Sequence, residues 1–171
     1  PIVELEPGVK TAVALSKRGV IGVMATTRTL ASERFQRLVG NHANHLRVLA
    51  QPCPGLAEAI EAQGPESAEV AALLNAFVAP LAAAAVDVVV LGCTHYPWVA
   101  EAIARRMPPG VTLLDTGEPV ARQLERLLSA ANLIGGGSGQ LRVATSGAPN
   151  KVVATVDRLW GQHLAVEHWE P

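Results

Sequence analysis

Aromatic rings are scarce in this chain: its 171 residues hold three Trp, two Phe and one Tyr, 4% in all. Trp98, Trp160 and Trp169 stand singly at helix or terminal positions and read as packing residues, not as platforms for stacking bases. Charge of either sign is not in excess. Lys and Arg number 14 against 15 Asp and Glu, a formal charge of −1 with no basic run or stripe, which excludes nucleic acid and other polyanions as partners. No apolar stretch reaches the roughly 18 to 20 residues that cross a bilayer, so no membrane is expected. Cysteine is nearly missing. Cys53 and Cys93 are the two present, too few for a disulfide scaffold, and they point to a reducing cytoplasm in which one well-placed thiol can serve chemistry. A signal-peptide pattern and an initiating Met are also missing: the chain begins Pro-Ile-Val-Glu-Leu-Glu, in what reads as the middle of a strand.

What the sequence does have is aliphatic bulk, 49% hydrophobic residues with many Ala, Val and Leu, in a length that suits one ordinary domain or a small domain with part of a second. Short β-branched runs at 2–5, 20–25, 47–50, 86–91, 111–114 and 141–145 read as strands. Helical patterns follow them at 9–17, 30–39, 55–63, 68–85, 98–107, 119–131 and 151–160. Near-continuous apolar strands alternating with helices predict an α/β fold: an open, mostly parallel sheet flanked by helices through right-handed crossovers. The run Ile-Gly-Gly-Gly-Ser-Gly at 134–139 predicts a surface loop. It lacks the Lys-Ser/Thr ending of a phosphate loop.

The most informative stretch is 86–97, Val-Asp-Val-Val-Val-Leu-Gly-Cys-Thr-His-Tyr-Pro. Its first six residues predict a buried strand, Gly92 allows a turn or a close approach, and Pro97 suits the first turn of a helix. Cys93 is thereby placed at the carboxyl edge of a parallel strand, where open α/β sheets bind ligands. The following helix N-terminus is expected to lower the thiol's pKa and to attract a carboxylate. If strand geometry persists, His95 points to the same side as Cys93. Spacing alone does not separate a catalytic Cys93 from a small buried hydrophobe. Glu61, with Glu58 one turn earlier, reads as a solvated helix residue. Cys53, followed by Pro54, reads as an inert thiol, and Thr26, Thr27 and Thr29 read as caps of the next helix. His42, His45, His163 and His168 show no metal-ligand spacing.

Leu91-Gly-Cys-Thr-His-Tyr-Pro97 resembles the segment around the second catalytic cysteine of glutamate racemases, within the aspartate/glutamate racemase superfamily. Val-Ile-Gly-Val-Met-Ala-Thr-Thr-Arg-Thr-Leu-Ala-Ser at 20–32 and Cys-Pro-Gly-Leu-Ala-Glu-Ala-Ile-Glu at 53–61 are similar to other landmarks of that family, as are Leu-Asp-Thr-Gly-Glu-Pro-Val-Ala at 114–121 and Thr-Ser-Gly-Ala-Pro at 145–149. The resemblance implies interconversion of L- and D-glutamate for peptidoglycan by two thiols on opposite faces of the α-carbon, without pyridoxal phosphate or metal. It implies Cys93 as one of the two bases, Thr94 and His95 as substrate contacts, His95 also as the group that tunes or protonates the thiol, and Glu61 as an assisting carboxylate. The family's Asp-Ser-Gly and Asn-Thr-Ala segments, beside the first catalytic cysteine, do not occur here. Residues 8–115 are therefore expected to be the second of two pseudo-symmetric lobes, and 1–7 with 116–171 the remnant of the first. Such a chain is expected to be inactive in racemisation alone, to leave an apolar face and a sheet edge open, and to form homodimers, swap elements or aggregate. Three alternatives stay open: an aspartate racemase or related decarboxylase, a cysteine hydrolase using Cys93 with His95, and a non-catalytic binding module. The hydrolase is disfavoured because a nucleophile and base two residues apart on one strand rarely meet and no orienting acid is evident.

Overall fold

Two Val-rich strands form the centre of the fold. In the computed structural model, which describes residues 8–136 and 139–170, these are β1 (Val20–Ala25) and β3 (Val88–Leu91). All four residues of β3 are buried, and so is all of β1 beyond Val20, as strands covered on both faces require. They pair in parallel from Ile21 opposite Val88 to Met24 opposite Leu91. Strands β2 (Arg47–Pro52) and β4 (Thr112–Asp115) flank them, giving the order β2-β1-β3-β4, all parallel. This is the open parallel α/β arrangement that the strand and helix periodicity predicts.

Alternation along the strands divides the core in two. Ile21, Val23, Val88 and Val90 face α1 (Val9–Leu15), α2 (Thr27–Ala31) and α3 (Glu33–His42). Met24, Val89 and Leu91 face α4 (Leu56–Gln63), α5 (Ala68–Ala83) and α6 (Ala100–Ala104). Gly22 lies on this second face, where a Cβ would come within 2.9 Å of a Leu81 methyl, so its bare Cα lets α5 sit close to the sheet.

Several element ends shift by one to three residues from the periodicity, and three departures change the element order. The segment expected as one helix at 30–39 is two, because the Ser32 hydroxyl donates to the Thr29 carbonyl and accepts from the Phe35 amide, ending α2 and capping α3. Thr26 caps α2 in the same way. The segment expected at 98–107 opens with a 3-10 turn, Tyr96–Val99, containing Pro97, before α6 begins. Beyond α7 (Gly117–Ala130), β5 (Val143–Thr145) pairs in parallel with an unanticipated β6 (Val166–His168) as a separate two-stranded sheet, bracketing α8 (Pro149–Trp160). Neither α7 nor α8 has a buried residue. The strand expected at 2–5 lies outside the described residues, and so do two residues of the glycine-rich run.

Candidate active site

Strand order reverses between β1 and β3. From β1 the chain turns to α2 on one face of the sheet, and from β3 it turns toward α6 on the other. In doubly wound sheets, loops that diverge in this way form a crevice at the carboxyl ends of the two strands, the place where ligands bind. Gly92 closes the floor of that crevice: its N–H donates to the Met24 carbonyl at 2.8 Å, and a Cβ would stand 3.0 Å from that oxygen and 3.1 Å from the Ala25 Cβ. Cys93 follows directly.

Strand geometry ends at Leu91, so the expectation that Cys93 and His95 share a side through strand alternation does not hold. The chain instead turns, with the Tyr96 amide donating to the Cys93 carbonyl at 3.1 Å, and the turn brings the two side chains together. Cys93 Sγ lies 3.7 Å from His95 Nδ1, and Thr94 Oγ1 lies 3.4 Å from the same nitrogen. On the other side of the ring, His95 Nε2 is 2.6 Å from Glu61 Oε1. A carboxylate only accepts, so this pairing places the proton of neutral His95 on Nε2 and leaves Nδ1 free to accept from the thiol. Glu61 is thus more than the solvated helix residue its periodicity suggests, although its side chain is still 51% exposed. The objection to a hydrolase also falls, because the nucleophile and base do meet and Glu61 orients the ring.

A lowered thiol pKa is not found. Burial pushes Cys93 above its ordinary value. The His95 amide and the Thr94 hydroxyl act to lower it, while the carboxylates of Glu58 and Glu61 raise it. The physical reason is that the expected helix N-terminus is a short 3-10 turn, which adds little dipole against half-burial and two nearby anions. Cys53 at the end of β2 is 2% exposed and donates to the Gln51 carbonyl at 3.4 Å. Burial pushes its thiol up to about 12. The buried Tyr96 hydroxyl donates to the Cys53 carbonyl at 3.5 Å, tying the two loops together.

The remaining polar residues fall to either side. Thr26 and Thr29 bond to each other at 2.9 Å beside the end of β1, where Thr26 spends an oxygen as a helix cap. His163 pairs with Asp157 at 3.0 Å, and His168 bonds the Gly147 carbonyl at 3.1 Å. Among the described residues no group of three or more His, Cys, Asp or Glu side chains stands together as a metal site, and no helix is long and apolar enough to cross a membrane. A cavity of about 570 Å³ opens behind the 3-10 turn, walled by Ser67, Pro97, Trp98 and Arg106 among others, and Cys93 is not in its wall. Sequence reasoning missed two neighbours of the site. Trp98, read as packing, lies 5.9 Å ring to ring from His95. Arg158, on α8, reaches the backbone of Glu61 from 97 residues away, a separation that carries no local signal.

The family described as Asp/Glu/hydantoin racemase matches residues 3–124. A glutamate racemase of Stutzerimonas stutzeri is 41% identical over 167 residues, 98% of this chain and 63% of that protein. One from Herpetosiphon aurantiacus is 49% identical over 149 residues, 86% of this chain and 59% of its own length. A crystal structure of a glutamate racemase isoform from Bacillus anthracis superposes with a TM-score of 0.86 at 26% identity, covering 99% of this chain and 65% of that one. The Escherichia coli glutamate racemase, solved with L-glutamate and an activator, shares the fold at 23% identity and a TM-score of 0.80, covering 96% of this chain and 62% of its own. The chain therefore spans about three fifths of these relatives' length. With the family match running through β1, α4 and the Cys93 turn, this chain belongs to the Asp/Glu/hydantoin racemase family.

Proposed function

We propose that Cys93, His95 and Glu61 make one proton-transfer face of a glutamate racemase, with Thr94 and His95 also touching the substrate. The observation that carries this reading is the relay Glu61–His95–Cys93, 2.6 and 3.7 Å long, at the crevice where the strand order reverses. His95 Nδ1 takes the thiol proton, and Glu61 holds the resulting imidazolium. The thiolate then removes the α-proton of glutamate, its electron pair staying on the α-carbon, and a thiol on the opposite face returns a proton with inversion. A carbanion of this kind survives where water is excluded and the bases are already placed. The chemistry calls for no cofactor.

Cys53 does not supply the second thiol, since it is buried with its proton held to about 12. Residues 8–115 act in this reading as the lobe that carries Cys93, while 1–7 and 116–171 belong with the other lobe. The separate β5–β6 sheet supports that division. The whole enzyme is a cytoplasmic homodimer that supplies D-glutamate for peptidoglycan.

The test is α-proton exchange in D2O, followed by proton NMR with L- and D-glutamate and with aspartate, on this chain extended by the first part of one of the relatives above. Glutamate should exchange and invert, and Cys93→Ala should stop inversion. Exchange of aspartate but not glutamate would assign the site to an aspartate racemase, and no exchange with either would sink the reading. The same relay also suits a cysteine hydrolase. A covalent acyl adduct on Cys93, trapped by ester substrates and seen by mass spectrometry, would favour that alternative.

A further inference from the structure

Three hydrogen bonds join the last turn of α8 to the neighbourhood of the site, and the proposed proton relay uses none of them. Arg158 Nη1 donates to the Glu61 carbonyl and, at 2.9 Å, to the Ala62 carbonyl. The Trp98 indole N–H donates to the Leu159 carbonyl at 3.0 Å, while the same ring leans on His95 at 5.9 Å and 52°. Adjacent residues of α8 thus hold the backbone of the relay's carboxylate and a ring in contact with its imidazole.

The local chemistry explains why an arginine fits there. The last four carbonyls of a helix have no partner inside it, and Glu61 and Ala62 belong to the final turn of α4. A guanidinium both satisfies them and meets the negative end of the helix. Gly64 ends α4 at φ 90, with its N–H on the Ile60 carbonyl, and a Cβ there would lie 3.2 Å from Arg158 Cδ. Glycine is needed twice at this position, for the backbone angle and for the arginine stem. The Glu61 side chain is long and 51% exposed, so its own packing does not fix its direction. Its reach to His95 depends on where the α4 end is held.

We infer that the last turn of α8 is a positioning strap for the active site: through Arg158 and Trp98 it sets the Glu61–His95 hydrogen bond and hence the readiness of Cys93 to give up its proton. The inference rests on the Cys93–His95–Glu61 reading. Arg158 and Trp98 are positioning residues: one holds backbone carbonyls of α4 and the other leans on the His95 ring.

The experiment uses the full 171-residue chain and needs no substrate. Cys93 alkylation by iodoacetamide is timed by mass spectrometry, the His95 tautomer is read from its ring 15N signals, and folding is checked by urea unfolding. Arg158→Met should slow alkylation by roughly threefold to tenfold, the loss expected when a hydrogen bond to a charged, partly exposed group is misdirected. It should also move His95 from a single Nε2–H tautomer toward a mixture, and Arg158→Lys should restore most of both. Trp98→Phe removes the N–H together with the five-membered ring beside His95, so its reading is the alkylation rate, which should fall as in Arg158→Met and keeps the test open if that variant does not fold. A folded Arg158→Met with the parent's alkylation rate and His95 signals, or a folded Trp98→Phe with the parent's alkylation rate, would overturn the strap. Glu61→Gln separates the two claims. If it slows alkylation while the strap variants do not, the strap falls and the site reading stands; if it too changes nothing, both fall.

Discussion

Gly92→Ala puts the crevice floor to a direct test, because the added atom is one methyl with nowhere to go. Its Cβ would lie 3.0 Å from the Met24 carbonyl oxygen and 3.1 Å from the Ala25 Cβ, both fixed to the central strand β1. Gly92 does not have a positive φ, so backbone strain is not the issue. Overpacking into an unyielding neighbour costs about 1–3 kcal/mol. Against this, exchanging Gly for Ala narrows the unfolded ensemble and returns about 0.4–1 kcal/mol. The difference is a net loss of about 0.5–2 kcal/mol, resting on the same two principles. Relief must come by moving the Gly92–Cys93 backbone away from β1, which lengthens the 2.8 Å bond from Gly92 N–H to Met24 and displaces Cys93 from His95. Gly40→Ala is the matched control. Gly40 lies inside α3 with nothing within 4 Å of the new methyl, so the same chemical change should stabilise the chain by about 0.5–1 kcal/mol. Urea unfolding followed by circular dichroism measures both. A Gly92→Ala chain as stable as the parent, beside a Gly40→Ala chain that gains as expected, would refute the close approach at the switch point.

Cys53, held to about 12 against an ordinary 9.0, keeps its proton in the fold, so its contribution to stability is complete below pH 9 and is lost as pH rises toward 12. Between pH 8 and pH 10 that loss is about 1.4 kcal/mol, and urea midpoints of Cys53→Ala should show a shallower alkaline decline than the parent by this amount. Asp87 has the opposite sign. Burial acts to raise its carboxyl, but bonds from the Ser16 hydroxyl and the Arg18 and Lys17 amides, 2.6 to 2.7 Å long, outweigh burial and lower it. Its stabilisation is present above the ordinary 3.8 and disappears as acid is added below it; Asp87→Asn, with one acceptor oxygen, should cost about 1–2 kcal/mol at pH 7 and flatten the acid limb of a stability titration. Leu124, Leu133, Ile134, Leu141, Trp160 and Trp169 are each more than 40% exposed, and such apolar surface should drive self-association. A monodisperse monomer in light scattering at high concentration would contradict that.

The central fold was legible because β1 and β3 are buried on both faces and spell out their burial as runs of Val, Ile and Leu. The placement of Cys93 at the carboxyl edge of β3 followed from Gly92 and Pro97, whose backbone preferences are local. What the sequence obscured was anything decided by contacts far along the chain. Periodicity gives Glu61 an amphipathic-helix signal alone, since its partner His95 lies 34 residues on, and only the resemblance of 53–61 to the racemase segment pointed to it. The hydroxyl of Ser32 split a helix that apolar spacing alone would continue, because a cap competes with the next helical bond at little cost. Three residues are too few for β6 to show a strand period, whereas β5 falls within the strand expected at 141–145. The sign of the Cys93 shift was misjudged for a related reason: burial and the charges of Glu58 and Glu61 come from another element, whereas the helix dipole was the one contribution readable in sequence.

That raised thiol separates the two chemistries the relay permits. Thiolate nucleophiles of hydrolases work when the thiolate is populated and leaves readily, which favours a low pKa. Removing an α-proton asks for a strong base, and the basicity of a thiolate rises with the pKa of its thiol. Burial with two carboxylates nearby moves Cys93 toward basicity, and in the proposed relay His95 Nδ1, 3.7 Å away, is the group that would take its proton. Glu58→Gln removes one of those carboxylates without touching His95 or Glu61. Iodoacetamide alkylation of Cys93 near pH 8 should then quicken by roughly twofold to threefold, as expected from deleting one screened, exposed charge. The α-proton exchange of glutamate on the extended chain should slow at a pH high enough to populate the thiolate fully, because each thiolate is then a weaker base. Opposite signs in the two assays are the mark of proton abstraction. If both rates rise together, the thiol is acting as a nucleophile, and the burial of Cys93 has been given the wrong purpose.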